Sequence, residues 1–100
     1  MIIVAGYLTV DPGQLKTFEK AIADVVDIVR KEDGCHHYSV LAEDRDRGLI
    51  NITEVWRDQA AVDAHMAQPW IKSLFVRVMP LITSTDAPIY EVVGVRERHS

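Results

Sequence analysis

Three side chains suited to acid–base and aromatic chemistry lie close together in the middle of the chain: Glu54, Trp56 and His65. An imidazole titrates near neutral pH, so His65 is a candidate general base. Glu54 is a candidate either to orient that imidazole or to serve as the base itself. Trp56 offers a flat wall on which an aromatic ring can stack. Together they make this strand-to-helix corner the best candidate for a functional site.

Each of these three residues also has a purely structural interpretation, and the sequence leaves both open. His65 could be a packed histidine bonded to backbone groups, and the Glu54 carboxylate could accept hydrogen bonds from neighbouring donors. Trp56 could simply anchor helices to a sheet. Further residues complete the candidate substrate-binding set, with the tyrosines as candidate donors to a phenolic oxygen: Tyr7, Tyr38, His37 and Trp70.

Metal, nucleotide and acyl-transfer chemistry have no support in the sequence. His36 and His37 are neighbours on a predicted strand, so they point to opposite faces and do not bind one metal ion together. His37 is expected to share a face with Cys35, but two ligands are too few for a zinc site. There is no Gly-rich phosphate loop and no Gly-x-Ser-x-Gly elbow. We therefore expect no metal and no nucleotide cofactor.

The strands that would position these residues can be read from runs of apolar and β-branched residues. Such runs predict strands over residues 2–10, 35–43, 49–56 and 89–95. Side chains alternate along a strand, so Glu54 and Trp56 share one face of the third strand. Residues 83–87, rich in Ser and Thr, are predicted to be a linker.

Helices are predicted in the two longest gaps between these strands. Asp11 and Pro12 are typical of a helix start, and Gly34 is typical of the turn after a helix end. Asp58 is the predicted N-cap of a short helix that carries His65. Pro69 should end that helix and begin the next.

The predicted order, βαββαβ, is that of a ferredoxin-like α+β fold, an antiparallel sheet with helices on one face. The 100 residues are the size of one domain, which we assign to residues 1–100. Several strands carry apolar side chains on both faces, although helices would cover only one. An uncovered apolar face usually marks an interface, so we predict a homodimer.

Composition narrows the partners and the compartment. The formal net charge is −4 and the basic residues are scattered, which argues against nucleic acid as a partner. No segment approaches the roughly 20 apolar residues of a membrane span, and no signal-peptide pattern is present. The single cysteine, Cys35, excludes an internal disulfide and fits the reducing cytoplasm.

The spacing around the candidate site resembles a known family. Glu54, Trp56, Asp58, Ala61, His65 and Pro69 form the run E-x-W-x-D-x-x-A-x-x-x-H-x-x-x-P. Upstream, residues 34–38 read G-C-H-H-Y. Both patterns resemble the antibiotic biosynthesis monooxygenase (ABM) family. The resemblance implies a dimeric α+β barrel in which two sheets face each other, with a cavity between sheet and helices in each subunit.

The family resemblance also implies a chemistry and its limits. The leading hypothesis is a cofactor-independent monooxygenase that oxidises a hydroquinone or anthrone with O2 to a quinone. The alternative is a non-catalytic dimer that binds a small aromatic or apolar molecule. Trp70 stands where many relatives carry a histidine, which weakens any two-histidine mechanism. Haem is not expected, because the first strand lacks the Asn of the haem-degrading branch and Phe75 replaces its histidine ligand.

Overall fold

The central strand of the sheet is β1 (Ile2–Val10), and the structure, a computed structural model, describes residues 1–98. On one side β1 pairs antiparallel with β3 (Leu49–Trp56), which pairs antiparallel with β2 (Cys35–Asp44). On its other side β1 pairs with two short strands, β4 (Ile82–Asp86) and β5 (Ile89–Glu91). The order across the sheet is β2-β3-β1-β4, with β5 beside the first residues of β1. The fold is ferredoxin-like α+β, as predicted.

Helices α1 (Leu15–Arg30), α2 (Gln59–Met66) and α3 (Pro69–Val78) pack on one face of this sheet. One core cluster joins Leu8 and Ile50 of the sheet to Phe18 of α1 and Leu74 of α3. A second cluster joins residues of the sheet, α1 and α2 next to the candidate site: Ile2, Val29, Tyr38, Trp56 and Ala61. Within residues 1–98, no helix is both long and apolar enough to cross a membrane.

The helix ends follow the predicted start and stop residues. The Asp11 carboxylate accepts a hydrogen bond from the Gly13 N–H at 3.0 Å, and a 3-10 turn from Pro12 leads into α1. Gly34 has φ of 82°, a left-handed conformation that glycine adopts without strain. Asp58 caps α2 by accepting from the Ala61 N–H at 2.9 Å. These local interactions fix where α2 begins, and therefore where His65 lies.

The last part of the sheet corrects two predictions. Residues 83–87 are not a linker, because β4 occupies Ile82–Asp86. Its hydroxyl side chains bond to Thr9 of β1 through Thr83 at 2.8 Å and through Ser84, so a polar run is satisfied at the sheet edge. The predicted strand 89–95 is also too long. β5 ends at Glu91, which lies opposite Ile2, the first residue of β1.

The other face of the sheet carries no helix within residues 1–98. Its exposed large apolar side chains are Tyr7 on β1, Leu41 on β2 and Tyr90 on β5. Polar residues such as Asn51 and Thr53 lie among them. We call this surface the open face. The sequence prediction of one uncovered sheet face is therefore confirmed, although the face is more polar than the strand patterns suggest.

Candidate active site

A cavity of about 350 Å³ lies between the helix-covered face of the sheet and helices α2 and α3. Its walls are mainly apolar, from residues such as Leu8, Ile52, Leu74 and Phe75. Ile82 of β4 and Ile89 of β5 also line it. Side chains with polar atoms in this lining are Tyr38, Glu54, Trp56 and His65. A mostly apolar cavity with a few convergent polar groups is typical of a small-molecule site.

Strand register brings three of these polar residues together. Glu54 and Trp56 are two positions apart on β3, so both point towards the helices. Tyr38 lies directly opposite Glu54 on β2 and therefore shares its face. The cap at Asp58 then starts α2, which places His65 against the Trp56 ring.

His65 is enclosed by aromatic rings. Its ring centroid lies 4.7 Å from that of Trp56 with planes 34° apart, and 5.9 Å from that of Trp70 in an edge arrangement. The Tyr38 ring is 6.4 Å away. The Nδ1 atom lies 2.6 Å from Oε2 of Glu32. Within residues 1–98 the Nε2 atom makes no hydrogen bond to protein.

The sequence analysis missed Glu32. It follows the last turn of α1 in the run Lys31-Glu32-Asp33, which reads as a solvated helix end. In the structure its side chain is only 11% exposed. The turn at Gly34 brings this end of α1 beside α2, as the bond from the Arg57 N–H to the Gly34 carbonyl at 2.8 Å shows. No local pattern could have indicated a contact that depends on two helices meeting.

Glu54 makes a different contact from the expected one. Its Oε1 atom accepts a hydrogen bond from the Trp56 indole N–H at 3.0 Å. The carboxylate bonded to His65 Nδ1 belongs to Glu32. The prediction that Glu54 orients the imidazole is therefore wrong for this structure. Glu54 remains on the cavity wall with Tyr38 and Trp56, and a catalytic role for it stays a prediction.

The Tyr38 phenol lies in an environment that favours its protonated form. Burial raises the pKa of its phenol well above the usual range, and the nearby Glu54 carboxylate adds to the effect. The phenol therefore keeps its proton at neutral and moderately alkaline pH. Burial likewise raises the pKa of the Cys35 thiol, with Glu32 and Glu54 adding to the shift, so this cysteine is a poor nucleophile.

The remaining predicted binding residues lie outside the cavity. Tyr7 is opposite Asn51 on the open face, and His37 is exposed opposite Val55 on the same face. Trp70 contacts the His65 ring from α3 but does not line the cavity. Substrate contacts by these three residues therefore have no support within one subunit.

The predicted shared face of Cys35 and His37 is wrong. Cys35 pairs with Trp56 and His37 pairs with Val55, so one extra residue, His36, is accommodated on β2 at a register shift. Such a bulge reverses the alternation of faces. Cys35 therefore packs on the helix side while His37 points to the open face. No group of three or more His, Cys, Asp or Glu side chains within residues 1–98 is placed to hold a metal ion.

The chain was compared with models of known protein families. The family model described as antibiotic biosynthesis monooxygenase matches residues 1–75, which span β1 to most of α3. The chain belongs to the antibiotic biosynthesis monooxygenase family. All the polar cavity residues fall inside the matched range. The ABM resemblance drawn from the Glu54–Pro69 spacing is thereby confirmed.

Individual relatives and solved structures are similar to this chain. An uncharacterized protein from Synechocystis sp. is 31% identical over 88 residues, which are 88% of this chain and 59% of that protein. The chain thus spans about 59% of the length of that curated relative. A Deinococcus radiodurans structure named for the same family superposes with a TM-score of 0.83 at 24% identity, covering 100% of both chains. A Shewanella oneidensis protein gives a TM-score of 0.77 at 27% identity, covering 89% of this chain and 87% of that chain.

Proposed function

We propose that this ABM protein is a cofactor-independent monooxygenase that oxidises an electron-rich aromatic, of the hydroquinone or anthrone class, with O2 to a quinone. The observation that carries the proposal is the His65 imidazole beside an apolar cavity, with Nε2 free of protein partners within residues 1–98. Such a nitrogen can take a proton from a bound ring. The cavity volume of about 350 Å³ suits a small polycyclic aromatic molecule.

Proton removal is the step that the site would catalyse. His65 Nε2 takes a proton from a ring hydroxyl or from an activated ring methylene, and the electron pair of the broken bond stays on the substrate. The resulting anion is electron-rich enough to reduce O2 directly. Walls such as Leu74 and Phe75 keep water away from the anion, and a dry site strengthens its interactions with the protein.

The substrate anion supplies all the electrons that O2 takes up, so no further reductant is needed. The anthrone anion gives one electron to O2, and the carbon radical and superoxide combine into a peroxide that takes its proton back from His65. Loss of water from this hydroperoxide, with the second methylene proton, leaves a carbonyl group. For an anthrone, one methylene and one O2 become one carbonyl and one water. For a hydroquinone, two hydroxyl hydrogens and two electrons pass to O2, which gives one quinone and one hydrogen peroxide.

The other polar residues have distinct roles in this proposal. Trp56, which lines the cavity beside His65, forms part of the aromatic wall. Tyr38 keeps its proton and donates to the developing phenolate oxygen. Glu54 holds the indole through its N–H, which orients that wall. The proposed substrate is thus a flat aromatic molecule bearing one ionising group.

We also propose that the working form is a homodimer joined through the open face. Exposed Tyr7, Leu41 and Tyr90 lie on a sheet face without helices. A stable dimer of this kind buries about 1,600 Å² in total. The single cysteine, Cys35, suits work in the reducing cytoplasm.

The test is oxygen uptake together with the absorbance of the quinone product, using an anthrone and a naphthohydroquinone as probes. The parent protein should consume O2 and form quinone in a fixed ratio. His65→Ala should lower kcat by about 10²–10⁴, the usual contribution of a positioned base. His36→Ala is the matched control, since His36 is exposed and lies away from the cavity.

A contrary result would favour binding without catalysis. If the parent protein quenches its tryptophan fluorescence on binding these aromatics but consumes no O2, the cavity is a non-catalytic binding site. If folded His65→Ala turns over as fast as the parent, His65 is a packing residue and the proposed mechanism is wrong.

A further inference from the structure

We infer that Glu32 is the positioning residue of the proposed base: its carboxylate holds the His65 ring with the proton on Nδ1 and leaves Nε2 free for the substrate. This inference rests on the proposed function, because it assigns a partner to the base in that mechanism. Glu32 does not line the cavity, so it would act through His65 and not on the substrate.

The contact itself is close and shielded. His65 Nδ1 and Glu32 Oε2 are 2.6 Å apart, and the two side chains are only 9% and 11% exposed. An ionised carboxylate has no hydrogen to donate, so the hydrogen of this bond belongs to Nδ1. In a neutral ring with Nδ1 protonated, Nε2 carries the lone pair. The pair therefore selects the tautomer that a base facing the cavity needs.

A second concavity shows which edge of the ring faces which side. A cleft of about 340 Å³ is lined by Glu32, Asp33, Arg57, Gln68 and the small side chains of residues 60, 61 and 64. His65 is the residue that lines both this cleft and the cavity. Because Nδ1 meets Glu32 on the cleft side, Nε2 is the nitrogen that remains for the cavity.

The charges around the pair leave Glu32 dependent on His65. The cation of the cleft, Arg57, is engaged by Asp33 at 3.1 and 3.2 Å and by Asp58 at 3.4 Å. Within residues 1–98, Oε1 of Glu32 has no hydrogen-bond partner. Cys35, Tyr38 and Glu54 also lie near the pair, and the cation beside Tyr38, Arg30, donates to the Tyr38 carbonyl at 3.1 Å.

The same contact bears on the proposed proton transfer. When His65 takes the substrate proton it becomes an imidazolium, and Glu32 is already placed to stabilise that charge. A carboxylate behind a catalytic histidine acts in the same two ways in other enzymes, by fixing the tautomer and by stabilising the imidazolium. Here the arrangement follows from the end of α1 meeting the last turn of α2.

The ring tautomer can be measured without any turnover. Nitrogen NMR of the histidine rings in alkaline buffer distinguishes a proton on Nδ1 from a proton on Nε2. We expect the parent protein to show His65 with Nδ1 protonated. Glu32→Gln keeps the shape of the side chain but can donate to Nδ1 through its amide, so it should move the population towards the Nε2-protonated form. Asp33→Asn is the matched control, because it removes a neighbouring acidic charge without touching the bond.

Kinetics supply the second readout. Glu32→Gln should lower kcat by about 10²–10⁴ and leave KM nearly unchanged, since Glu32 does not line the cavity. Glu32→Asp keeps the carboxylate on a shorter stem and should recover part of that loss. Asp33→Asn should keep the parent rate. Circular dichroism melting curves establish that each variant is folded before its rate is compared.

The outcomes separate this inference from the proposed function. If the tautomer of His65 is the same in the parent and in folded Glu32→Gln, the positioning role is wrong. Parent-level kcat in folded Glu32→Gln would also overturn it. If no aromatic probe is oxidised by any variant but the tautomer changes as expected, the proposed function fails while the assignment of Glu32 stands.

Discussion

Replacing Trp56 by phenylalanine removes one hydrogen bond from the cavity and leaves an aromatic wall in place. The Trp56 indole N–H donates to Glu54 Oε1 at 3.0 Å, and a phenyl ring has no donor. The Glu54 carboxylate is then left on a mainly apolar wall without this partner. We therefore expect Trp56→Phe to destabilise the folded protein.

The expected size follows from the burial of both partners. Hydrogen bonds to charged groups contribute about 1.5–3 kcal/mol to the free energy of unfolding. Trp56 is 1% exposed but Glu54 is only partly buried, so water can replace some of the lost interaction. We expect a coupling free energy of about 1–2 kcal/mol between the two side chains. The smaller ring also leaves unfilled volume, which is a separate cost.

A double-mutant cycle separates these two contributions. Trp56→Phe, Glu54→Leu and the double variant are unfolded in urea and followed by circular dichroism. All samples are compared at one protomer concentration, because the stability of a dimer depends on concentration. The volume cost of Trp56→Phe is the same with Glu54 present and in the Glu54→Leu background, so it cancels. The hydrogen bond is lost only when Trp56→Phe is made with Glu54 present.

A coupling free energy within about 0.5 kcal/mol of zero, as expected of independent sites, would mean that this hydrogen bond does not stabilise the fold. Substrate binding offers a parallel check. Trp56→Phe keeps a flat ring and should change KM little, while Trp56→Ala should raise KM because the wall binds substrate and transition state about equally.

Three further predictions follow from the structure. Tyr38→Phe should lower kcat by about 10²–10³. Because the Tyr38 pKa is raised, the phenol stays protonated, and this loss should be the same at every pH below about 10, as pH-rate profiles would show. Leu41→Glu should shift a dimer towards monomer in sedimentation, because Leu41 is 65% exposed on the open face; an unchanged sedimentation coefficient would place the interface elsewhere. Gly6→Ala should lower the melting temperature, since its new Cβ would clash with the Asp86 carbonyl oxygen. Gly94→Ala should leave the melting temperature unchanged, because the space around Gly94 is open. Equal melting temperatures for the two variants would contradict the close approach of the Asp86 backbone to Gly6.

Residue periodicity predicted most of the fold, and it predicted which side chains of a strand share one face. The strand 2–10 was predicted with the bounds that the structure gives, and Glu54 and Trp56 lie on one face as expected. These features depend on alternation along a single strand, which sequence alone contains. The cap at Asp58 depends on residues three apart and was equally readable.

Features that depend on distant contacts could not be predicted. Glu32 reaches His65 across 33 residues, and only the docking of α1 against α2 brings them together. The bulge at His36 puts Cys35 and His37 on opposite faces of the sheet, and nothing in the neighbouring residues marks the extra position. β4 consists largely of Ser and Thr, so its hydroxyl bonds to Thr9 could be recognised only once β1 lay beside it.

The polar and the apolar parts of the cavity lining come from different parts of the chain. The side chains with polar atoms, Tyr38, Glu54, Trp56 and His65, all precede residue 75, whereas part of the apolar wall comes later, from Val78, Met79, Ile82 and Ile89. Ile89 belongs to β5, which contains only three residues. The Ile89 residue is 69% exposed. Substitutions in this later part can therefore widen or narrow the cavity without moving His65, the proposed base. Under the proposed function, such a protein could acquire new substrates through its last strands while the proposed proton-transfer residues stay fixed.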